Sequence, residues 1–262
     1  AFKEFERHSR LGMVGEDAFY YEVERLRKAG AKYVTLKTGA YRGADLARAV
    51  KFASNAKIDL LTIDGAGGGT GMSPWRMMNE WGIPTIYLQA MTYSMLKQLE
   101  AKGAFIPDIA MAGGFSLEDH IFKAMAMGAP YVKAVCMGRA TMIPAMVGRN
   151  LDEWMLDGNK VPKDIAKFGT TRDQIYVGAA KLKEKYGAET YKRIPTAAIG
   201  MYTYCDRIVG GLQQLLAGAR KFNLNLISRN DLISLTKEGA EVTGLPYVMD
   251  SDKQEVQDIL AS

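Results

Sequence analysis

Residues 59–74 read DLLTIDGAGGGTGMSP: a run of Leu60, Leu61, Thr62 and Ile63 closed by Asp64, then five glycines within the seven residues 65–71, then Ser73-Pro74. Four consecutive apolar or β-branched residues suit a strand that is covered on both faces. The glycines come directly after it, at the strand's carboxyl end, which is where α/β folds bind their ligands. Successive glycines let the backbone approach a ligand closely and turn its N–H groups toward an anion, and Thr70 and Ser73 add hydroxyl donors. A plain strand-to-helix turn does not need so many, because each glycine gives up more backbone entropy on folding than any other residue. The loop is not a Walker A sequence, since no Gly-Lys-Ser/Thr follows. It also misses the dinucleotide fingerprint, because counting from Gly65 the third glycine position holds Thr70.

Outward from this strand the pattern repeats. Short apolar runs occur at Tyr33–Thr38, Asp59–Asp64, Pro84–Gln89, Asp108–Ala112 and Tyr131–Met137, and helical patterns follow them. Their starts lie roughly 25 residues apart, the spacing of a βα unit, so the chain predicts five parallel strands. Leu46, Ala49, Val50 and Ala53 form one apolar stripe in a helix over 44–53, a second helix is expected over about 93–102, and a third over about 117–127. Lys37, Asp64 and Gln89 would then stand at the carboxyl ends of three strands.

After Arg149 the rhythm stops, and helices are expected at about 171–186, 197–218 and 230–237. We therefore expect two regions, a (β/α) barrel part over 1–149 and a helical extension over 150–262. A closed barrel needs eight strands, so three would come from sequence before Ala1 or from another chain. The competing architecture is an open, five-stranded, doubly wound sheet.

Composition narrows the function classes. The 262 residues include two cysteines, Cys136 and Cys205, with no CxxC, which argues against a disulfide scaffold, a zinc site or a self-contained iron–sulfur cluster. Cys136 reads as buried in its strand and inert. The net charge of +5 is dispersed among acids without a basic stripe, so no nucleic-acid partner is expected. Charges interrupt every apolar run, so no membrane is expected either, and a cytoplasmic setting is the default. The opening at Ala1 without methionine suggests a processed or incomplete chain. His8 belongs to a charged terminal segment and His120 to a helix, and neither reads as a catalyst. The many methionines, Met72, Met77, Met78, Met125 and Met127 among them, read as core filler.

Two later loops carry the cofactor signal. Ala112-Gly113-Gly114 ends one strand ahead of a helix, and Met137-Gly138-Arg139-Ala140 ends the next, offering N–H groups and a guanidinium. Either alone is an ordinary turn. In this order, at the last two strands of a barrel, they are a signature of FMN phosphate binding.

Taken in order, Lys37, the strand before Asp64, the stretch from Asp64 to Pro74, the Gly113-Gly114 loop and the Gly138-Arg139 loop resemble the FMN-binding domain of the glutamate synthase family. Gly68 to Pro74 is the most specific element, and residues around 216–235 carry a weaker likeness to the end of that domain. The resemblance implies FMN as cofactor, 2-oxoglutarate and ammonia as substrates, and hydride transfer to their imine to give glutamate. Lys37 would then meet the flavin's pyrimidine edge or the substrate, Gly113, Gly114, Gly138 and Arg139 would serve the cofactor, Gln89 would bond either the flavin edge or, equally, a neighbouring backbone group, and Asp64 would serve the cofactor site by accepting N–H groups of the glycine loop. Gly68, Gly69, Thr70 and Ser73 would serve the keto acid.

The sequence departs from the family in three ways: no cysteine occurs between Met142 and Trp154, no amino-terminal cysteine is present for a glutaminase step, and the early barrel strands are missing. Ammonia and electrons would then come from elsewhere, with an electron-donor protein or subunit and an oligomer or partner chain completing the barrel. The alternatives are a truncated, non-catalytic barrel subunit within a complex, or an FMN enzyme of the same fold acting on another amino or keto acid.

Overall fold

The computed structural model describes residues 15–68, 80–156 and 160–262. The chain's contacts divide it into two compact units. One takes the described residues of Ala1–Phe115 with His120–Cys136 and Asn223–Ser262, and the other takes Ser116–Asp119 and Met137–Phe222.

The first unit runs α1 (Glu16–Lys28), β1 (Thr35–Thr38), α2 (Gly43–Asn55), β2 (Leu60–Asp64), α3 (Thr85–Glu100), β3 (Asp108–Ala112), the greater part of α4 (Glu118–Gly128) and β4 (Val132–Cys136). The strands form one parallel sheet in the order β1-β2-β3-β4. This order decides between the two expected architectures. A doubly wound sheet reverses direction at a switch point, whereas strands added one after another by right-handed crossovers keep their helices on one face, as in a segment of a barrel. A mixed α/β fold with part of a TIM-type barrel is thus what the strand order supports.

On the helix-covered face, Leu61, Ile63, Ile109, Met111 and Val132 are buried with Phe19 and Val23 of α1, Leu46, Val50 and Ala53 of α2, and Leu88 and Leu96 of α3. The opposite face carries the row Lys37, Thr62, Ala110 and Ala134 and, one step further toward the carboxyl ends, Asp64, Ala112 and Cys136.

Among the described residues four strands are formed where five were expected. The run Pro84–Gln89 is the start of α3. Its apolar, β-branched beginning reads as a strand, but Pro84 has no N–H to leave unsatisfied and is placed as the helix N-cap, and burial recurs at Leu88, Thr92 and Leu96, the period of a helix. Cys136 is exposed on the edge strand β4, not buried in a covered strand.

The second unit is helical: α5 (Arg139–Leu156), α6 (Lys163–Ala166), α7 (Arg172–Ile175), α8 (Gly178–Tyr186), α9 (Ala188–Lys192) and α10 (Thr196–Gly218). Helices α5 and α10 approach backbone to backbone. A Cβ on Gly148 would lie 2.6 Å from the Thr196 carbonyl oxygen, and one on Gly200 would lie 2.5 Å from that of Pro144. Asp152 accepts hydrogen bonds from the Thr196 amide and hydroxyl, tying α5 to the first turn of α10.

The end of the chain, Asn223–Ser262, groups with the sheet. The helix expected over about 230–237 is a short 3-10 turn, Arg229–Asp231, followed by an isolated bridge between Ser234 and Tyr247, α11 (Lys237–Thr243) and α12 (Lys253–Ala261). Among the described residues no helix is long and apolar enough to cross a membrane.

Candidate active site

The carboxyl ends of β1 and β2 bring two of the sequence's candidates into contact. Lys37 is registered opposite Thr62, and Asp64 lies two residues further along the same face of the neighbouring strand. A lysine is long enough to cover that offset, and its Nζ lies 2.8 Å from Asp64 Oδ2. The partners are unequally placed: the Asp64 side chain is 5% exposed and that of Lys37 is 53% exposed. The carboxylate is fixed in the interior and the ammonium stands at the surface of the sheet. Asp64 Oδ1 is buried and has no hydrogen-bond partner among the described residues.

The beginning of the glycine loop is packed against the loop that follows β3. The Gly65 amide donates to the Ala112 carbonyl, the Ala66 amide to the Ile83 carbonyl, and the Gly68 amide to the Gly65 carbonyl. Thr85, the first residue of α3, donates its hydroxyl to the Gly113 carbonyl at 2.8 Å. A Cβ on Gly65 would sit 2.5 Å from Thr85 Cα, one on Gly68 would sit 2.5 Å from Gly113 Cα, and one on Gly113 would sit 2.8 Å from the Gly65 amide nitrogen. These three positions therefore need glycine for close backbone approach, a requirement separate from any ligand. Gly69, Thr70 and Ser73 lie outside the described residues, as do His8, Met72, Met77 and Met78.

Gly114 differs from its neighbours. Its φ is +82°, and among the described residues a Cβ there would meet nothing within 4 Å. In the helical unit, a Cβ on Gly138 would likewise meet nothing among the described residues within 4 Å, and Arg139 begins α5.

Gln89 is not carried to a strand end. It is buried on α3 and donates through Nε2 to the Ala124 carbonyl, fastening α3 to α4. It also borders a cavity of about 470 Å³, together with Thr85, Gly113, His120 and residues of the segment Leu232–Leu245. His120 is half-buried within α4, as its helical placement anticipated.

Thr85 is the residue that the sequence reading passed over. Its position directly after Pro84, at the opening of a helix facing a strand end, was the available signal once that segment is read as a helix. Away from the strand carboxyl ends, burial and the Glu100 carboxylate, 2.7 Å from its hydroxyl, push Tyr131 well above the usual tyrosine value. Tyr131 leads into β4 and Glu100 ends α3, so this pair marks the opposite rim of the sheet, where barrels invest in stability.

A search of curated proteins gives no match. A family model described as the conserved region in glutamate synthase matches residues 11–149, which takes in all four strands and every residue of the sequence-derived site. By that match over more than half of its length, the chain belongs to the glutamate synthase family.

Proposed function

We propose that this chain is the FMN-dependent oxidoreductase part of a glutamate synthase-type enzyme, which reduces the imine of 2-oxoglutarate and ammonia to glutamate. The observation that carries the reading is the joint position of the Lys37–Asp64 pair and the Gly113-Gly114 loop at the carboxyl ends of a sequentially ordered parallel sheet, inside the region matched by the family. Carboxyl-end loops are where such folds hold their chemistry.

The residues of the sheet unit fit a flavin nucleotide. Gly114 offers backbone at a positive φ with no described atom within 4 Å of where a Cβ would stand, a conformation that brings amides to bear on a phosphate. The Lys37 ammonium, more than half exposed and held on a buried carboxylate, supplies a fixed positive charge at the same rim. FMN, when bound, supplies the two-electron chemistry. Lys37 would donate a hydrogen bond to the flavin's pyrimidine edge or to a substrate carboxylate and oppose the negative charge that builds there. Thr70 and Ser73 would hold the keto acid.

The test is direct. The full chain mixed with FMN is expected to show quenched flavin fluorescence with saturable binding. Once reduced, it is expected to be reoxidised by 2-oxoglutarate plus ammonia with stoichiometric glutamate. A folded protein that leaves FMN free in solution overturns the reading, and reoxidation only by some other keto or amino acid replaces its substrate.

A second reading rests on the sheet edges. On β4, Lys133, Ala134 and Cys136 are exposed, and on β1, Thr35 and Lys37 are exposed. Edge strands offer backbone groups for pairing, and an eight-stranded barrel needs four strands beyond these. In this reading the chain acts as one subunit of an assembly whose other part supplies those strands and the electrons. Native mass measurement distinguishes the two, since a monomer of 28.8 kDa that binds and turns over flavin would exclude it.

A further inference from the structure

We propose that Asp64 is a positioning residue for Lys37: the buried carboxylate tethers the ammonium at the rim of the sheet and so fixes where its charge acts. The inference rests on the reading of Lys37 given above and assigns Asp64 a part within it.

Three observations carry it. The first is the asymmetry of the pair. A surface salt bridge between two mobile side chains contributes little, because both must be ordered to form it. Here only the lysine has freedom to lose, since Asp64 is already held in the interior at the end of β2. The carboxylate is the anchor and the ammonium is the group presented.

The second is the room made for that anchor. A Cβ on Gly68 would lie 2.1 Å from Asp64 Oδ1 and 2.5 Å from Gly113 Cα, so any larger residue at position 68 would push the carboxylate away or part the two loops. The third is the unpartnered Oδ1. A carboxylate buried for stability alone is surrounded by donors, because a buried oxygen without a hydrogen bond is destabilising. Asp64 directs Oδ2 to Lys37, and among the described residues the ammonium is the partner that its carboxylate holds.

Two measurements on the full chain test this. The first needs no cofactor: NMR relaxation of the Lys37 side chain in lysine-labelled protein, assigned with K37R. The wild-type side chain is expected to be ordered to its ammonium. In D64N, which keeps the shape of the acid and removes its charge, Lys37 is expected to relax as a solvated lysine. Unchanged Lys37 relaxation in D64N overturns the proposal. Should D64N not fold, D64S, which also removes the carboxylate, is used in its place, and Lys37 relaxation equal to that of the wild type overturns the proposal in the same way.

The second is a double-mutant cycle on turnover of the reduced, FMN-loaded chain. K37M and D64N are each expected to lower kcat about tenfold or more, and K37M/D64N to be no worse than K37M. A D64N loss that persists in full on the K37M background means that Asp64 acts otherwise, and overturns the proposal. If K37M itself turns over at the wild-type rate, the functional reading of Lys37 fails, while the relaxation data still decide whether Asp64 tethers it.

Discussion

At the scale of single residues, the two adjacent glycines after β3 are constrained in different ways, and their substitutions should separate accordingly. Gly113 combines φ +119° with a neighbour that a Cβ could not clear, so Gly113→Ala forces the two loops apart. We expect it to lower stability by about 3 kcal/mol in urea unfolding. Gly114→Ala meets the backbone preference and, among the described residues, no neighbour within 4 Å, and should lower stability by about 1 kcal/mol. If Gly114 receives the flavin phosphate, the milder variant should be the one with weakened FMN binding while it remains folded. Equal stability losses would remove the packing argument. Gln89 gives the complementary case. Its amide reaches the Ala124 carbonyl from within α3, so Gln89→Met should lower stability by about 1 kcal/mol through the lost hydrogen bond between α3 and α4 and leave flavin absorbance intact. A variant of native stability with a shifted flavin spectrum would return Gln89 to the cofactor.

At the scale of elements, α7 and the helices beside it show how local chemistry fixes a short piece of backbone. Thr171 and Gln174 form a reciprocal capping box around the four residues of α7. Asp173 in that turn accepts from the Tyr191 hydroxyl at 2.6 Å and pairs with Lys183 at 2.9 Å. The Tyr191 hydrogen bond, ahead of the Lys183 charge, holds the Asp173 carboxyl below its ordinary value of 3.8. Because the folded value is depressed, the stabilisation is complete above the unfolded value and is lost as pH falls through the lower, folded one. Asp173→Asn should therefore lower stability at pH 7 by less than about 1 kcal/mol, since both Asp173 and Lys183 are near half exposed. The gap to the wild type should close as the medium is taken below about pH 4. A gap that stays constant with pH would mean that the acid contributes only its shape. The same scale shows what was legible in the sequence. Three of the five expected strands follow directly into observed ones at Leu60–Asp64, Asp108–Ala112 and Val132–Cys136, and Tyr33–Thr38 holds the first. The stretch Pro84–Gln89 failed because Thr, Ile and Tyr favour strands locally. Only burial every fourth residue, a property of the packed helix, reveals the other outcome.

At the scale of the whole molecule, the glycine loop and the candidate lysine were legible because their spacing in a βα repeat places them at strand ends, but their mutual contact was not. It depends on the register of β1 against β2, which no local pattern encodes. The grouping of Asn223–Ser262 with the sheet was also out of reach, and Arg229 supplies its physical basis. The guanidinium donates to the Met127 carbonyl in the last turn of α4 and, at 2.6 Å, to the Thr243 carbonyl that ends α11, and it lies 4.0 Å from the centroid of the Tyr93 ring on α3. Carbonyls in the last turn of a helix have no partner within it and carry the negative end of its dipole, so one planar cation completes two helices and stacks on a third. Burial pushes the guanidinium below its ordinary value, a cost that these contacts offset. Arg229→Ala should lower the stability of this unit by about 3 kcal/mol and make the segment from Asn223 onward the first to be released by limited proteolysis. Arg229→Lys should recover less than half of the loss, because an ammonium cannot span both carbonyls while lying flat on Tyr93. An Arg229→Ala chain that unfolds within about 0.5 kcal/mol of the wild type and resists protease equally would assign the attachment of the chain's end to the apolar packing of Ile227 and Leu245 instead.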